Sequence, residues 1–208
     1  MDADTPEFLL QLQEARDGDP AVLGALFQRH ERRLRAMVQL RIDRRLKGRV
    51  NPSDVLQEAF LEVSRSLPAY LEKPVLPFFL WIRLLTGRKL HALHRHHLGA
   101  QVRDAGREVS LHGGEFPEAS SIFIADQLVD RHSSTTHTVA RAEIRVRVEE
   151  ALNGMSELDR EVLALRHYEQ LTNGEIAQVL GISEAAASVR YIRALERLRP
   201  SLAGLENS

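Results

Sequence analysis

The sequence predicts an all-α protein: two small helical domains joined by a flexible linker. Three observations predict it. Apolar residues recur at three- and four-residue spacing, while the apolar–polar alternation of strands is missing. Helix starts and stops are marked by Asp-Pro and Asn-Pro pairs, capping serines and threonines, and glycine. The periodicity fails once, from Gly99 to about His137. There Gly113-Gly114, Pro117, Ser120-Ser121 and Ser133-Ser134-Thr135-Thr136 give loop composition. The expected division is a domain over 5–100, a linker over 101–138 and a second domain over 139–203.

Each element has its own pattern. Phe8, Leu9, Leu12 and Ala15 form one face of a short first helix. Asp19-Pro20 starts a long second helix, with Pro at the first helical position. Its stripe runs through Val22, Leu23, Leu26, Phe27, His30, Leu34, Met37, Val38 and Ile42, roughly 25 residues of amphipathic helix. Asn51-Pro52 repeats the start signal, and Val55, Leu56, Ala59, Phe60, Val63 and Leu67 follow, with Pro68 expected to end the helix. After Pro74 and Pro77, the residues Phe78, Phe79, Trp81, Ile82, Leu85, Leu90 and Leu93 mark another helix with a basic, histidine-rich end. Ile122, Phe123, Ile124, Leu128 and Val129 are apolar positions inside the expected linker that have the means to dock. Periodicity returns at Val139, with Ile144, Val148, Ala151 and Leu152 closed by Asn153-Gly154. Ser156 and Thr172 each open a capping box on the helices that follow. Gly181 stops the second of these. Ser183 caps a last helix, expected to reach about Arg199, before Pro200.

Composition excludes several classes. The 208 residues contain no cysteine, so disulfides, thiolate metal sites and a cysteine nucleophile are out. No apolar run approaches the ~18 residues of a membrane span, and the first residues are acidic where a secretory signal is basic. The expectation is a soluble, cytoplasmic protein without membrane insertion. The net charge of −1 hides segregation. Arg29–Val50 holds nine bases against two acids, and Arg83–Arg107 six bases and four histidines against Asp104 alone. Local patches, more than the net charge, set the field a polyanion meets within ~8–10 Å.

The segment TNGEIAQVLGISEAAASVRYIRALERLR, from Thr172 to Arg199, reads as a helix-turn-helix. Gly181 permits the positive φ of the turn. Ser183 satisfies amides at the start of the second helix. That helix is expected to present Ser183, Glu184, Ala185, Ser188, Arg190, Tyr191 and Arg193 to DNA. A helix fits the major groove, where Arg and Ser reach base edges and phosphates.

The run ELDREVLALRHYEQLTNGEIAQVLGISEAAASVRYIRALERLR resembles region 4 of bacterial RNA polymerase sigma factors of the extracytoplasmic-function (ECF) subfamily. Asp159, Arg160, Val162, Leu165, Arg166, Glu175, Ile176, Ala177, Leu180, Gly181, Ile182, Ser183, Arg190, Arg193, Ala194, Leu198 and Arg199 carry the likeness. The family often has Thr-Val-Lys-Ser where this chain has Ala186-Ala187-Ser188-Val189. The N-terminal half resembles region 2 of the same family. There Asp54-Val-Leu-Gln57-Glu58-Ala-Phe60 matches an Asp-hydrophobic-hydrophobic-Gln-Glu-x-Phe pattern. Phe79-Leu-Trp81-Ile82-Arg83, with the basic run after it, matches the helix that follows. The resemblance covers roughly 20–100 and 140–200, in the family's order.

The resemblance implies a subunit that binds core RNA polymerase and directs it to promoter DNA. Asp54, Gln57 and Glu58 would meet the polymerase. Arg88, Lys89, His94 and Arg95 would track phosphates at the melted −10-type element. The C-terminal helix-turn-helix would read a −35-type element. The family also implies an anti-sigma factor as partner. A helix-turn-helix regulator acting without polymerase is the alternative. No cofactor, metal or catalytic site is expected. His91, His94 and His97 have a spacing that could clasp a metal, but Lys89 and Arg95 beside them oppose a cation. No phosphate loop, dinucleotide fingerprint or nucleophile elbow occurs, so the chain does not read as an enzyme.

Overall fold

In the computed structural model, which describes residues 6–16, 20–46, 48–98, 117–132 and 138–202, the start signals of the sequence stand at helix starts. Asn51 is the cap of α3 (Pro52–Glu72), and its side chain accepts the Ser53 amide at 3.0 Å. Ser156 caps α7 (Glu157–His167) by accepting the Asp159 amide at 3.1 Å. Thr172 and Glu175 close both halves of the capping box on α8 (Asn173–Leu180), at 3.2 and 2.7 Å. Each such cap stabilises its helix by about 1 kcal/mol. The remaining helices are α1 (Pro6–Arg16), α2 (Pro20–Arg41), α4 (Phe78–Leu98), α5 (Ser121–His132), α6 (Thr138–Asn153) and α9 (Glu184–Leu202). Among the described residues the protein is all-α.

The chain divides into two compact units, Met1–Pro117 and Glu118–Ser208. In the first, α2, α3 and α4 pack on one another and α1 packs on α2. The stripes read from the sequence form its core: Leu26, Leu34, Met37 and Val38 from α2, Val55, Ala59, Val63 and Leu67 from α3, and Phe78, Phe79, Ile82 and Leu90 from α4 are all buried. Pro68 does not end α3. The helix carries it inside and runs four residues further. Proline costs the bond from its missing N–H, but Ser64 and Pro68 both face solvent, where water takes that bond's place. The extra turn is anchored by Tyr70, which stacks on Trp81 at 4.2 Å and donates its hydroxyl proton to the Leu76 carbonyl at 2.9 Å. Pro200 likewise lies inside α9, which ends at Leu202 rather than Arg199.

In the second unit, α9 packs on α6, α7 and α8, and α5 packs on α6. Here the expected linker is corrected. Part of 101–138 is α5, which belongs to the C-terminal unit, so that unit begins near Glu118 rather than at 139. The physical cause is the apolar cluster inside the loop-like composition. Ile124, Ala125, Leu128 and Val129 are buried, and the buried Tyr168 hydroxyl donates to the Ile124 carbonyl at 2.9 Å. Two surface ion pairs, Arg145–Asp126 at 3.2 Å and Arg160–Glu118 at 3.1 Å, join the same segment to α6 and α7. The expected linker residues 101–116 and 133–137 lie outside the described residues.

Candidate nucleic-acid interface

The turn between α8 and α9 is built as its residue types require. Gly181 has φ +65, the left-handed conformation that a side chain disfavours. Its N–H and that of Ile182 both return to the Ala177 carbonyl, which closes the last turn of α8. Ser183 Oγ accepts the Ala186 amide at 3.1 Å and so caps α9. Ala187, Ala194 and Leu198 fix the buried side of α9.

Of the expected DNA-contacting residues on α9, Ser183, Glu184, Ala185 and Arg193 are exposed, and Ser188 and Tyr191 are half-buried. Arg190 is placed differently. Its Nη1 donates to Asp159 Oδ1 at 2.7 Å, and Asp159 is only 2% exposed. Arg193 Nη1 lies 3.9 Å from the other oxygen of the same carboxylate. Burial pushes the Asp159 carboxyl up, but the bonds from Arg190 and Ser156 and the charges of Arg190 and Arg193 outweigh it and hold its pKa below the usual value. Arg190 is therefore committed to holding α9 against α7, while Arg193 keeps half its surface in solvent.

The sequence reading also missed an apolar part of this face. Val189, Ile192 and Leu195 are 55%, 53% and 41% exposed. The signal was present: at ~100° per residue, Val189 and Ile192 lie roughly opposite Ala187, Ala194 and Leu198, and Leu195 lies at the edge of the buried side.

In the first unit the expected basic track on α4 is divided. Arg88 and Arg95 are exposed. Lys89 Nζ instead pairs with Glu62 Oε2 of α3 at 3.1 Å. His94 is half-buried, and its Nε2 accepts the Asp43 amide at 3.4 Å, a long bond that joins α4 to the turn after α2. Burial, above all, lowers the His94 pKa. The Asp43 carboxylate opposes this, and His91 and Arg45 add to it. A neutral imidazole that accepts a backbone proton is a structural group, so the phosphate-tracking role expected of Lys89 and His94 has competition from partners inside the protein. Phe79 is buried, under Arg33, whose Cζ lies 3.6 Å from the ring centroid. Trp81 is only half-buried.

Asp54, Gln57 and Glu58 are all exposed. At spacings of three and four they share one face of α3, and Leu61, 54% exposed, continues that face. Among the described residues no helix is long and apolar enough to cross a membrane.

Residues 145–198 match the family described as sigma-70, region 4. The stretch begins within α6 and ends within α9, and so takes in α7, α8, the turn and most of α9. No curated protein matches the chain. Among solved structures, the chain is similar over its full length, and over the full length of the match, to CnrH as solved in complex with the cytosolic domain of CnrY. That match has a TM-score of 0.55 and 22% identity and shows a shared fold. The family match bears out the resemblance of residues 145–198 to sigma-70 region 4, and the structural match shows the shared fold.

Proposed function

We propose that this chain binds core RNA polymerase and directs it to promoters, with its two units at separate DNA elements. One observation carries the proposal above the rest. A capped helix-turn-helix inside a region 4 match stands on the same chain as a helical unit whose α3 displays Asp54, Gln57 and Glu58 on one exposed face.

In this reading the α3 face seats on the polymerase, with Leu61 as its apolar centre. The exposed Arg88 and Arg95 approach the backbone of the melted strand at a −10-type element. Single-strand capture combines such charges with aromatic stacking, worth ~1–3 kcal/mol per base. The start of α9, from Ser183 through Ser188, enters the major groove of a −35-type element, and Arg193 contacts its phosphates. The chain performs no bond chemistry of its own. It aims an enzyme and traps an open DNA state, in the cytoplasm where that enzyme works.

CnrH was solved with a cytosolic domain of CnrY bound. By the same likeness this chain is proposed to have an anti-sigma factor as its inhibitor. The test of the whole reading is co-elution of the purified, folded chain with core polymerase. Asp54→Arg, Gln57→Ala and Glu58→Arg together are expected to abolish co-elution with only a small drop in thermal midpoint, because all three residues are exposed and only Asp54 sits in the first turn of α3, where its charge favours the helix end. Failure of the wild-type chain to co-elute would overturn the reading.

A further inference from the structure

The segment between α2 and α3 is a basic turn that the proposed function leaves unused. Its sequence, from Asp43 to Arg49, holds Arg44, Arg45, Lys47 and Arg49 against the single acid Asp43. The turn is built rather than loose. Ile42 and Leu46 are buried, at 5% and 1% exposed, and anchor it at two points. Leu46 N–H donates to the Asp43 carbonyl at 2.9 Å, and Arg49 and Val50 N–H both donate to the Leu46 carbonyl, at 2.9 and 3.0 Å. Gly48, at φ +87, takes the left-handed position that this reversal needs.

Asp43 organises the turn without cancelling its charge. Its carboxylate accepts the Arg45 amide at 2.8 Å and forks with the Arg45 guanidinium at 3.0 and 2.8 Å. The Arg45 bond foremost, against a smaller effect of burial, holds the Asp43 carboxyl at about 2, so it stays ionised. One acid thus fixes one arginine. Arg44 and Arg49 stay exposed on either side of it. The Asp43 amide donates to His94, which makes the turn continuous with the end of α4, where Arg95 is exposed. The partner this surface fits is a nucleic-acid backbone. It carries a net positive charge, offers an arginine on either side of the Asp43–Arg45 fork, and adjoins the element already read as following a DNA strand.

We propose that Arg44 and Arg49, held by the Asp43–Arg45 fork, form a second phosphate-binding surface that lengthens the contact of the N-terminal unit with the nucleic-acid backbone. The proposal extends the promoter-binding reading, but its test does not depend on that reading. The full chain, its Arg44→Gln/Arg49→Gln variant and its Arg44→Lys/Arg49→Lys variant are titrated with a mixed-sequence single-stranded oligonucleotide and with the matching duplex, over a series of salt concentrations. Each phosphate contact contributes about 0.7 to the salt slope on single strands and about 0.9 on duplex. The glutamine variant is expected to lose about 1.4 units of slope on single strands, or about 1.8 on duplex. The lysine variant is expected to keep the wild-type slope, and both are expected to co-elute with core polymerase as the wild type does. A glutamine variant with an unchanged slope overturns the proposal. So does a glutamine variant that loses polymerase co-elution at unchanged slope, which would make the turn a protein contact. Should the wild-type chain bind oligonucleotide with the expected slope yet fail to meet polymerase, the promoter reading falls and the surface stands.

Discussion

Arg190 of α9 and Asp159 of α7, 31 residues apart in sequence, are joined by a 2.7 Å charge-assisted hydrogen bond whose acceptor is 2% exposed. The bond ties α9 to α7, one of the three helices it packs on, and so helps to fix the rotation of α9 about its own axis. The arginine expected to contact DNA is thereby also the one that ties α9 to α7.

Asp159→Ala is therefore expected to destabilise the C-terminal unit by about 2–3 kcal/mol, the range for losing the partner of a buried charged bond. Thermal unfolding checks it. The pH dependence has a definite sign. The folded-state pKa of Asp159 is depressed, so its stabilisation is present above the ordinary carboxylate range. It is lost as the pH falls through that range toward the lower folded value. The Asp159→Ala chain lacks this part of the acid sensitivity.

Arg193 and Arg190 should separate cleanly. Arg193→Ala is expected to reduce the salt slope for an upstream-element duplex by about 0.9, with a thermal midpoint close to wild type. Arg190→Ala is expected to lower the midpoint, since about 1 kcal/mol shifts a unit of this size by roughly 4–8 °C. Duplex titration and a melt on each variant decide the matter. Equal effects of both substitutions on slope and on midpoint would contradict the assignment.

This division marks what the sequence can convey. Caps and the Gly181 turn are local, set by residues two to five apart, and were legible, as were the core stripes of α2, α3 and α4. The partner of Arg190 lies 31 residues away and that of His94 lies 51 away. No helical periodicity connects such pairs, so the motif names the residue types without saying which ones the fold already uses. The helix α5 was hidden for another reason. Its apolar cluster, Ile122 to Val129, is short, and serines, glycines and Pro117 around it mimic a linker. It is buried against partners distant in sequence, α6 and Tyr168, the latter 44 residues from Ile124. Pro68 and Pro200 misled in the opposite direction, because a proline at a solvent-facing position weakens a helix without ending it.

The placement of α5 leads to a prediction of its own. Tyr168→Phe removes the buried hydrogen bond from the Tyr168 hydroxyl to the Ile124 carbonyl, and is expected to destabilise the C-terminal unit by about 0.5–1.5 kcal/mol. Amide hydrogen exchange should show α5 losing protection together with α6. If α5 exchanges at the rate of an unstructured peptide in the wild-type chain, its assignment to that unit is wrong.

His94 makes the N-terminal unit sensitive to mild acid. Its folded pKa lies below the ordinary histidine value, so the unfolded chain takes up the proton first. Stability is then full above about pH 6.5 and declines as the pH falls below it. The protonated ring can no longer accept the Asp43 amide. His94→Gln offers an acceptor that does not titrate. It is expected to flatten the difference between melts at about pH 7.5 and about pH 5.5. Identical pH dependence in the two chains would dismiss His94 as the source.

At the turn of the helix-turn-helix, Gly181→Ala forces a side chain into φ +65. It is expected to cost about 1–2 kcal/mol. Thr172→Ala, which removes one half of the capping box, is expected to cost about 1 kcal/mol. Both should weaken upstream-element binding through the orientation of α9, which a thermal melt and a duplex titration of each variant check.

The most direct measurement is run-off transcription by core RNA polymerase supplied with this chain on a library of promoter fragments. The account predicts discrete transcripts that appear only with the chain present, start downstream of a shared pair of sequence elements, and vanish with the triple substitution at Asp54, Gln57 and Glu58. Transcription unchanged by the folded chain across the library would contradict it.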